Sequence, residues 1–259
     1  MINITNKTTE IKENADDILD ISSEKNEIMK EVINTIKAEL NKISSEHKAE
    51  VIFNGQLDKI KVSVKSEKIE SVKIIESPKN KGLANSIIEG VSYVVNRYGK
   101  IITLEDDLIT TPNFLNFMNE ALDFYKGEGK IQSINGYSLK INVSGDVYFH
   151  QRTFPWGWAT WQDRWSKDIF DTEKISDQIK RDKSLLERFN KSCGNDMASM
   201  IKNSISGEIN SWYERWAFNH FINDTYAVYP TLSKITNIGF VDNATHCTGI
   251  NTYISNTDV

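Results

Sequence analysis

Apolar residues recur along this chain at two spacings, and each spacing predicts a different kind of element. Between residues 26 and 47, Ile28, Met29, Val32, Ile33, Ile36, Leu40 and Ile43 fall at helical intervals and predict an amphipathic helix. Leu83, Ala84, Ile87, Ile88, Val91, Val94, Val95 and Tyr98 repeat the pattern, and Gly99 then suits the left-handed cap that ends a helix. Short runs rich in β-branched and apolar residues predict strands over 50–53, 60–64, 72–75, 101–104, 131–134, 147–150, 227–230 and 235–240. Asn54-Gly55 between the first two is a turn signal and predicts a hairpin. Strand 72–75, a loop, helix 83–98 and strand 101–104 read as a βαβ unit with parallel neighbouring strands.

Thr111 as N-cap and Pro112 as first helical residue predict another helix to about residue 126, with Phe114, Phe117, Met118, Ala121, Leu122 and Tyr125 on its apolar stripe. Polar helical stretches cover 172–192 and 196–205. A further helix opens within Asn210-Ser211-Trp212-Tyr213-Glu214-Arg215-Trp216 and ends near residue 223. Residues 1–25 are polar and acidic, as in a poorly ordered arm or a short helix. The pattern describes an α/β chain: a polar arm and amphipathic helix over 1–48, then one α/β domain over 49–259.

The predicted strand 101–104 runs straight into Glu105-Asp106-Asp107. Three adjacent carboxylates repel one another, and a hard divalent cation such as Mn²⁺ or Mg²⁺, which prefers oxygen ligands, would neutralise them. The plainer reading is a solvated acidic turn before the next helix. Position favours the first, because open α/β sheets bind ligands at the carboxyl ends of their strands.

Charge and composition narrow the classes. A formal net charge of -5 gives no broad basic face and weighs against a nucleic-acid partner. Cys193 and Cys247 form no CxxC pair, so neither a zinc site nor a disulfide framework is indicated, and reduced thiols fit a cytosol. The first 14 residues lack the basic start and apolar core of a signal peptide. No apolar run reaches the roughly 18 residues of a membrane span. The expectation is a cytoplasmic protein, with peripheral association at the inner membrane surface still open.

Other candidate residues each carry two readings. In the loop Lys79-Asn80-Lys81-Gly82, Lys79 or Lys81 would meet a phosphate and Gly82 would admit close backbone approach; otherwise this is a solvated turn. Trp156, Trp158, Trp161 and Trp165 surround Gly157, either as an indole platform for a sugar ring or as core. Glu214 is the candidate general base, but Ser211-Trp212-Tyr213-Glu214 also matches a capping box. His246 is either a metal or phosphate ligand or an ordinary surface histidine.

Taken in order, Ile101 to Leu108 with Thr111-Pro112-Asn113-Phe114, then Phe154-Pro155-Trp156-Gly157-Trp158-Ala159-Thr160-Trp161, then Ser211 to Trp216 with Asn237-Ile238-Gly239-Phe240 and Thr245-His246, resemble one family. These blocks are similar to GT-A fold glycosyltransferases, specifically the bacterial relatives of animal N-acetylglucosaminyltransferase I, over roughly residues 72–250. The resemblance implies a Rossmann-like, mixed, mostly parallel sheet flanked by helices, with the helical N-terminal segment atypical. It implies a nucleotide-binding part at about 49–150 and an acceptor part at about 151–259.

The implied reaction transfers a sugar from a nucleotide sugar, a UDP-sugar foremost, to a hydroxyl of a glycan, lipid-linked or protein acceptor. The resemblance implies Asp107 on Mn²⁺ or Mg²⁺ and Glu105 and Asp106 toward the donor; to these the reading of the residues adds His246 on the metal and Lys81, Gly82 and Arg215 toward the donor. Trp156, Trp158 and Tyr213 are placed toward the acceptor and Glu214 as base. Two departures stand out. The family carries its base immediately after the Trp of the third block, where this chain has Tyr213, with Glu214 one residue later. The first 70 residues also show no recognisable form of the strand and loop that grip the nucleotide base: either residues 50–64 supply a divergent version or the nucleotide pocket is incomplete. These departures fit a rival reading, a non-catalytic glycan-binding or scaffold subunit; a nucleotidyltransferase would share the fold without needing the aromatic block.

Overall fold

The computed structural model describes residues 2–6, 48–53, 68–75, 77 and 79–240. The chain divides into two compact units, Met1–Pro78 and Lys79–Val259. In the first unit, β1 (Ile2–Asn6) pairs antiparallel with β2 (Lys48–Phe53), and β2 pairs parallel with β3 (Lys68–Ile74). This corrects the expectation for the N-terminus, because residues 2–6 are a strand rather than part of an arm or a helix. The division also falls at residue 78 rather than 48. The expected helix 26–47, the Asn54-Gly55 turn and the strand 60–64 lie outside the described residues.

In the second unit, α1 (Leu83–Tyr98) keeps the predicted limits and buries Ala84, Ile87, Ile88, Val91, Val94 and Val95. It ends at Gly99, whose φ of 78° is left-handed and whose N–H reaches Val95 O. β4 (Lys100–Leu104) packs against it. β3 before α1 and β4 after it belong to different units. Next come β5 (Leu108–Thr110), α2 (Phe114–Phe124), β6 (Ile131–Asn135), β7 (Val147–His150) and β8 (Trp158–Trp161). Four helices follow, α3 (Thr172–Arg181), α4 (Leu185–Cys193), α5 (Met197–Ser206) and α6 (Tyr213–Ile222), and then β9 (Tyr226–Pro230) and β10 (Ile235–Asn237).

The sheet of this unit is mixed, in the order β4-β8-β6-β9-β7. β4, β6 and β9 share one direction; β8 runs antiparallel between β4 and β6, and β7 antiparallel on the outside of β9. The strand β8 replaces what the tryptophan density suggested was a platform. It is buried throughout, and its one polar side chain, Thr160, donates to Gln132 O at 2.8 Å. Trp158 and Trp161 are three residues apart in a strand and therefore point to opposite faces. Trp161 donates its indole N–H to Leu122 O, beside α2, at 3.1 Å. Trp158 lies among Trp212, Trp165 and Trp216 at ring-centroid distances of 5.0, 5.5 and 6.0 Å. Trp165 also donates to Ser92 Oγ of α1 at 3.0 Å. Thus one indole stack ties α1, β8 and α6 together.

The predicted helix 172–192 is two helices. Asp182 Oδ1 accepts from both the backbone N and the hydroxyl of Ser184, a local turn that competes with helix continuation.

His220 of α6 is fully buried, 3.3 Å from Ser133 Oγ and edge-on to Trp216 at 4.9 Å. Burial pushes its pKa down to about 3. The unfolded chain takes up this proton near the ordinary value of about 6.5, so acid favours unfolding from there down to about pH 3. Denaturant unfolding followed against pH should therefore show stability falling over this window, with up to about 1.4 kcal/mol per pH unit from this residue. In His220→Gln that slope is shallower by the same amount; an unchanged slope refutes the assignment.

Candidate functional site

Three sequence-distant segments meet at the carboxyl end of β4. The acid loop leaves β4 and turns into β5, a three-residue strand that no periodicity signalled. β5 pairs antiparallel with β10, opposing Leu108 to Asn237 and Thr110 to Ile235. The pairing extends past the ribbon, where Ile238 N donates to Asp107 O at 2.9 Å. The second segment comes from the start of β8. Gly157 has a φ of 63°, and a Cβ there would stand 2.7 Å from Ile235 Cδ1 and 3.3 Å from Leu104 Cδ2. Only glycine fits so close behind the loop. Trp156 beside it packs on Phe240 at 5.8 Å.

Within the loop, Asp106 is exposed while Glu105 and Asp107 are half-buried. Desolvation, aided by Asp107 and Asp106, pushes the Glu105 carboxyl up to about 8. Desolvation and then Asp106 also raise Asp107. Both shifts reflect negative charge held close together out of water. Asp107 Oδ1 is buried without a hydrogen bond among the described residues. An orphaned carboxylate oxygen in a crowded acidic loop fits a divalent cation. Among the described residues no three His, Cys, Asp or Glu side chains converge as a ligand set. Mg²⁺-type ions are commonly held by one or two carboxylates, with substrate phosphates and water completing the shell. Asp107 suits that arrangement.

The expected base is buried within α6. Glu214, in the first turn of α6, is fully buried, and neither carboxylate oxygen has a hydrogen bond among the described residues. The capping box does not form: the N-cap position is Trp212, and no side chain caps it. Arg215 Nε stands 3.8 Å from Glu214 Oε1 but donates to Ser211 O at 3.1 Å. Its other guanidinium nitrogens reach Phe170 O, at 2.9 Å, and Ser211 O. Arg215 is therefore spent on backbone carbonyls rather than offered to a donor phosphate.

Several other expectations need correction. Trp156 and Trp158 are 8% and 0% exposed, so the aromatic block is core and presents no open indole face. Tyr213 is buried, and its hydroxyl accepts from Arg152 Nε at 2.7 Å. Arg152 also grips Asp196 through two parallel bonds of 2.8 Å. Burial raises the Tyr213 hydroxyl. Lys81 pairs with Glu89 at 2.6 Å instead of standing free for phosphate. His246 lies outside the described residues.

No protein-family model and no curated protein matches this chain.

The close approach expected at Gly82 is real, but a side chain makes it. A Cβ on Gly82, whose φ is 77°, would fall 2.1 Å from Asn210 Nδ2. Asn210 Oδ1 accepts from Ala84 N at 2.9 Å and caps α1 from 126 positions away, where α1 has no cap of its own. Sequence reasoning missed Asn210 because a cap supplied by a distant residue leaves no local pattern; Arg152 was missed for the same reason. An open cleft of about 310 Å³, lined in part by Gln132, Arg164, Ser166, Asn219 and Thr225, lies where β6 and β9 begin. That is the sheet edge opposite the end of β4, and of the candidate residues only Trp165 lines the cleft. Among the described residues no helix is long and apolar enough to cross a membrane.

Asn210→Ala should cost about 1 kcal/mol in denaturant unfolding through the lost cap. Gly82→Ala should cost about 1–3 kcal/mol, since it combines left-handed backbone with displacement of Asn210. Because both changes break one contact, the double variant should lose less than the two costs added; strict additivity refutes the link.

Proposed function

We propose that the chain is a metal-dependent glycosyltransferase of the GT-A type, acting on a nucleotide sugar, a UDP-sugar foremost, and on a hydroxyl of a glycan, lipid-linked or protein acceptor. The observation that carries this reading is Asp107: a carboxylate at a strand's carboxyl end, with one buried oxygen left without a hydrogen bond among the described residues. It supports the reading because two of the blocks that suggested the family from sequence, 101–108 and 237–240, meet at that residue.

In this proposal Asp107 holds Mn²⁺ or Mg²⁺, with His246 as a further ligand. When bound, the ion supplies Lewis-acid neutralisation of the leaving diphosphate. Glu105 and Asp106 contact the donor. Lys81, Gly82 and Arg215 drop out of the donor set, given the partners described above. Glu214 takes the acceptor proton. A buried carboxylate without hydrogen bonds is costly to fold around, and active sites are where such costs recur. Holding donor and acceptor in line supplies the rest of the rate. The acceptor is contacted by residues other than Trp156, Trp158 and Tyr213.

One observation favours a second reading. Glu214 is fully buried, so no carboxylate of α6's first turn is open to an acceptor in this conformation. A non-catalytic glycan-binding or scaffold subunit would retain such a residue for structure alone.

Calorimetric titration of UDP-, GDP- and dTDP-sugars with Mn²⁺ tests the first reading. A UDP-sugar should bind only with metal, and Asp107→Ala should abolish that binding; no binding by any of the three rejects the enzyme. Glu214→Gln then tests the base within the first reading. Turnover should fall roughly 10²–10⁴-fold with donor affinity intact, whereas unchanged turnover removes Glu214 from the chemistry.

A further inference from the structure

Resting on the transferase reading, we infer that Gly239 is a positioning residue that sets the direction of the Asp107 carboxylate. A Cβ built on Gly239 would lie 2.0 Å from Asp107 Oδ2, 2.9 Å from its Cγ and 3.0 Å from its Cβ. The carboxylate therefore occupies the space that any other residue at 239 would fill. The backbone around Gly239 is held in place from both sides. Ile238 N donates to Asp107 O at 2.9 Å, and Gly239 N donates to Asn237 Oδ1 at 2.7 Å. Asn237 is itself opposed to Leu108 in the β5–β10 ribbon. With the main chain pinned on both strands, the movable part is the short Asp107 side chain.

Contact with Gly239 fixes Oδ2, and this leaves Oδ1, the oxygen without a hydrogen bond among the described residues, pointing elsewhere. Gly239 is not among the glycines with positive φ. Alanine is therefore compatible with its backbone, and Gly239→Ala disturbs the carboxylate without imposing left-handed strain. The glycine is required by the space the carboxylate fills rather than by conformation.

The test titrates Mn²⁺ alone, and Mn²⁺ with UDP, into wild type, Gly239→Ala, Asp107→Ala and the double variant, alongside thermal unfolding. Gly239→Ala should weaken Mn²⁺ binding by roughly 10–100-fold, the usual effect of losing a group that orients a metal ligand, with Tm close to wild type. In the Asp107→Ala background the same change should have no further effect. A crystal structure of Gly239→Ala should show the Asp107 carboxylate rotated from its wild-type position. Wild-type affinity in Gly239→Ala, or an Asp107 carboxylate left in its wild-type position in that variant's crystal structure, overturns the inference while leaving the transferase reading intact. A wild-type chain that binds Mn²⁺ neither alone nor with UDP overturns both.

Discussion

The stack of Trp158 on Trp212 and Trp165 is the contact on which the second unit depends. β8 is inserted antiparallel between β4 and β6, so Trp158 stands in the middle of the sheet, opposite Thr103 on one side and Asn135 on the other. Offset indole stacking adds to an already large burial of apolar area. Because Trp212 is the residue before α6, the same stack sets where that helix begins and thereby where Glu214 is buried. Trp165 carries the order outward to α1 through Ser92. Of the two readings the sequence leaves open for these tryptophans, the structure shows core, and the stack aligns β8, α1 and α6.

A second constraint is charge. Glu105 and Asp107 are held in a half-buried loop where desolvation opposes ionisation of both. The fold tolerates this cost at the strand end, and the neighbouring segments crowd the loop further instead of opening it to solvent. Leu104, Gly157 and Ile235 form its apolar floor, and Gly239 closes it from the side. Lys81 and Arg215, the cations expected nearby, are engaged by Glu89 and by backbone carbonyls. Neither cation therefore offsets the cost of ionising the acidic loop.

Much of this was legible from the amino acids, and the misses share a cause. α1 with its glycine cap, β4, β6 and β7 follow directly from periodicity, because each is defined by local burial. α2 begins two residues later than Pro112 suggests, since Thr111 is held by Lys234 O at the end of the β5–β10 ribbon. β5 was invisible because three residues carry no period, and its strand character comes from a partner 125 positions later. The capping box at Ser211 failed where the Trp212 stack and the bonds from Arg215 to Ser211 O took hold of the segment first. In the site, the acid triplet was evident in composition. The roles of Asn210 and Gly239 were not, because both depend on which distant side chain occupies the missing Cβ space.

The β5–β10 ribbon also determines when the acid loop can take its final shape. Asp107 emerges from the ribosome well over a hundred residues before Ile238 and Gly239, the two residues that clamp its backbone and its carboxylate. During that interval β4 can gain its partner β8, while the loop has no β10 to pair with. Asn210 imposes the same delay on the first turn of α1. The acidic centre is therefore complete only once residues 237–239 have been made, whatever part of the sheet has paired by then.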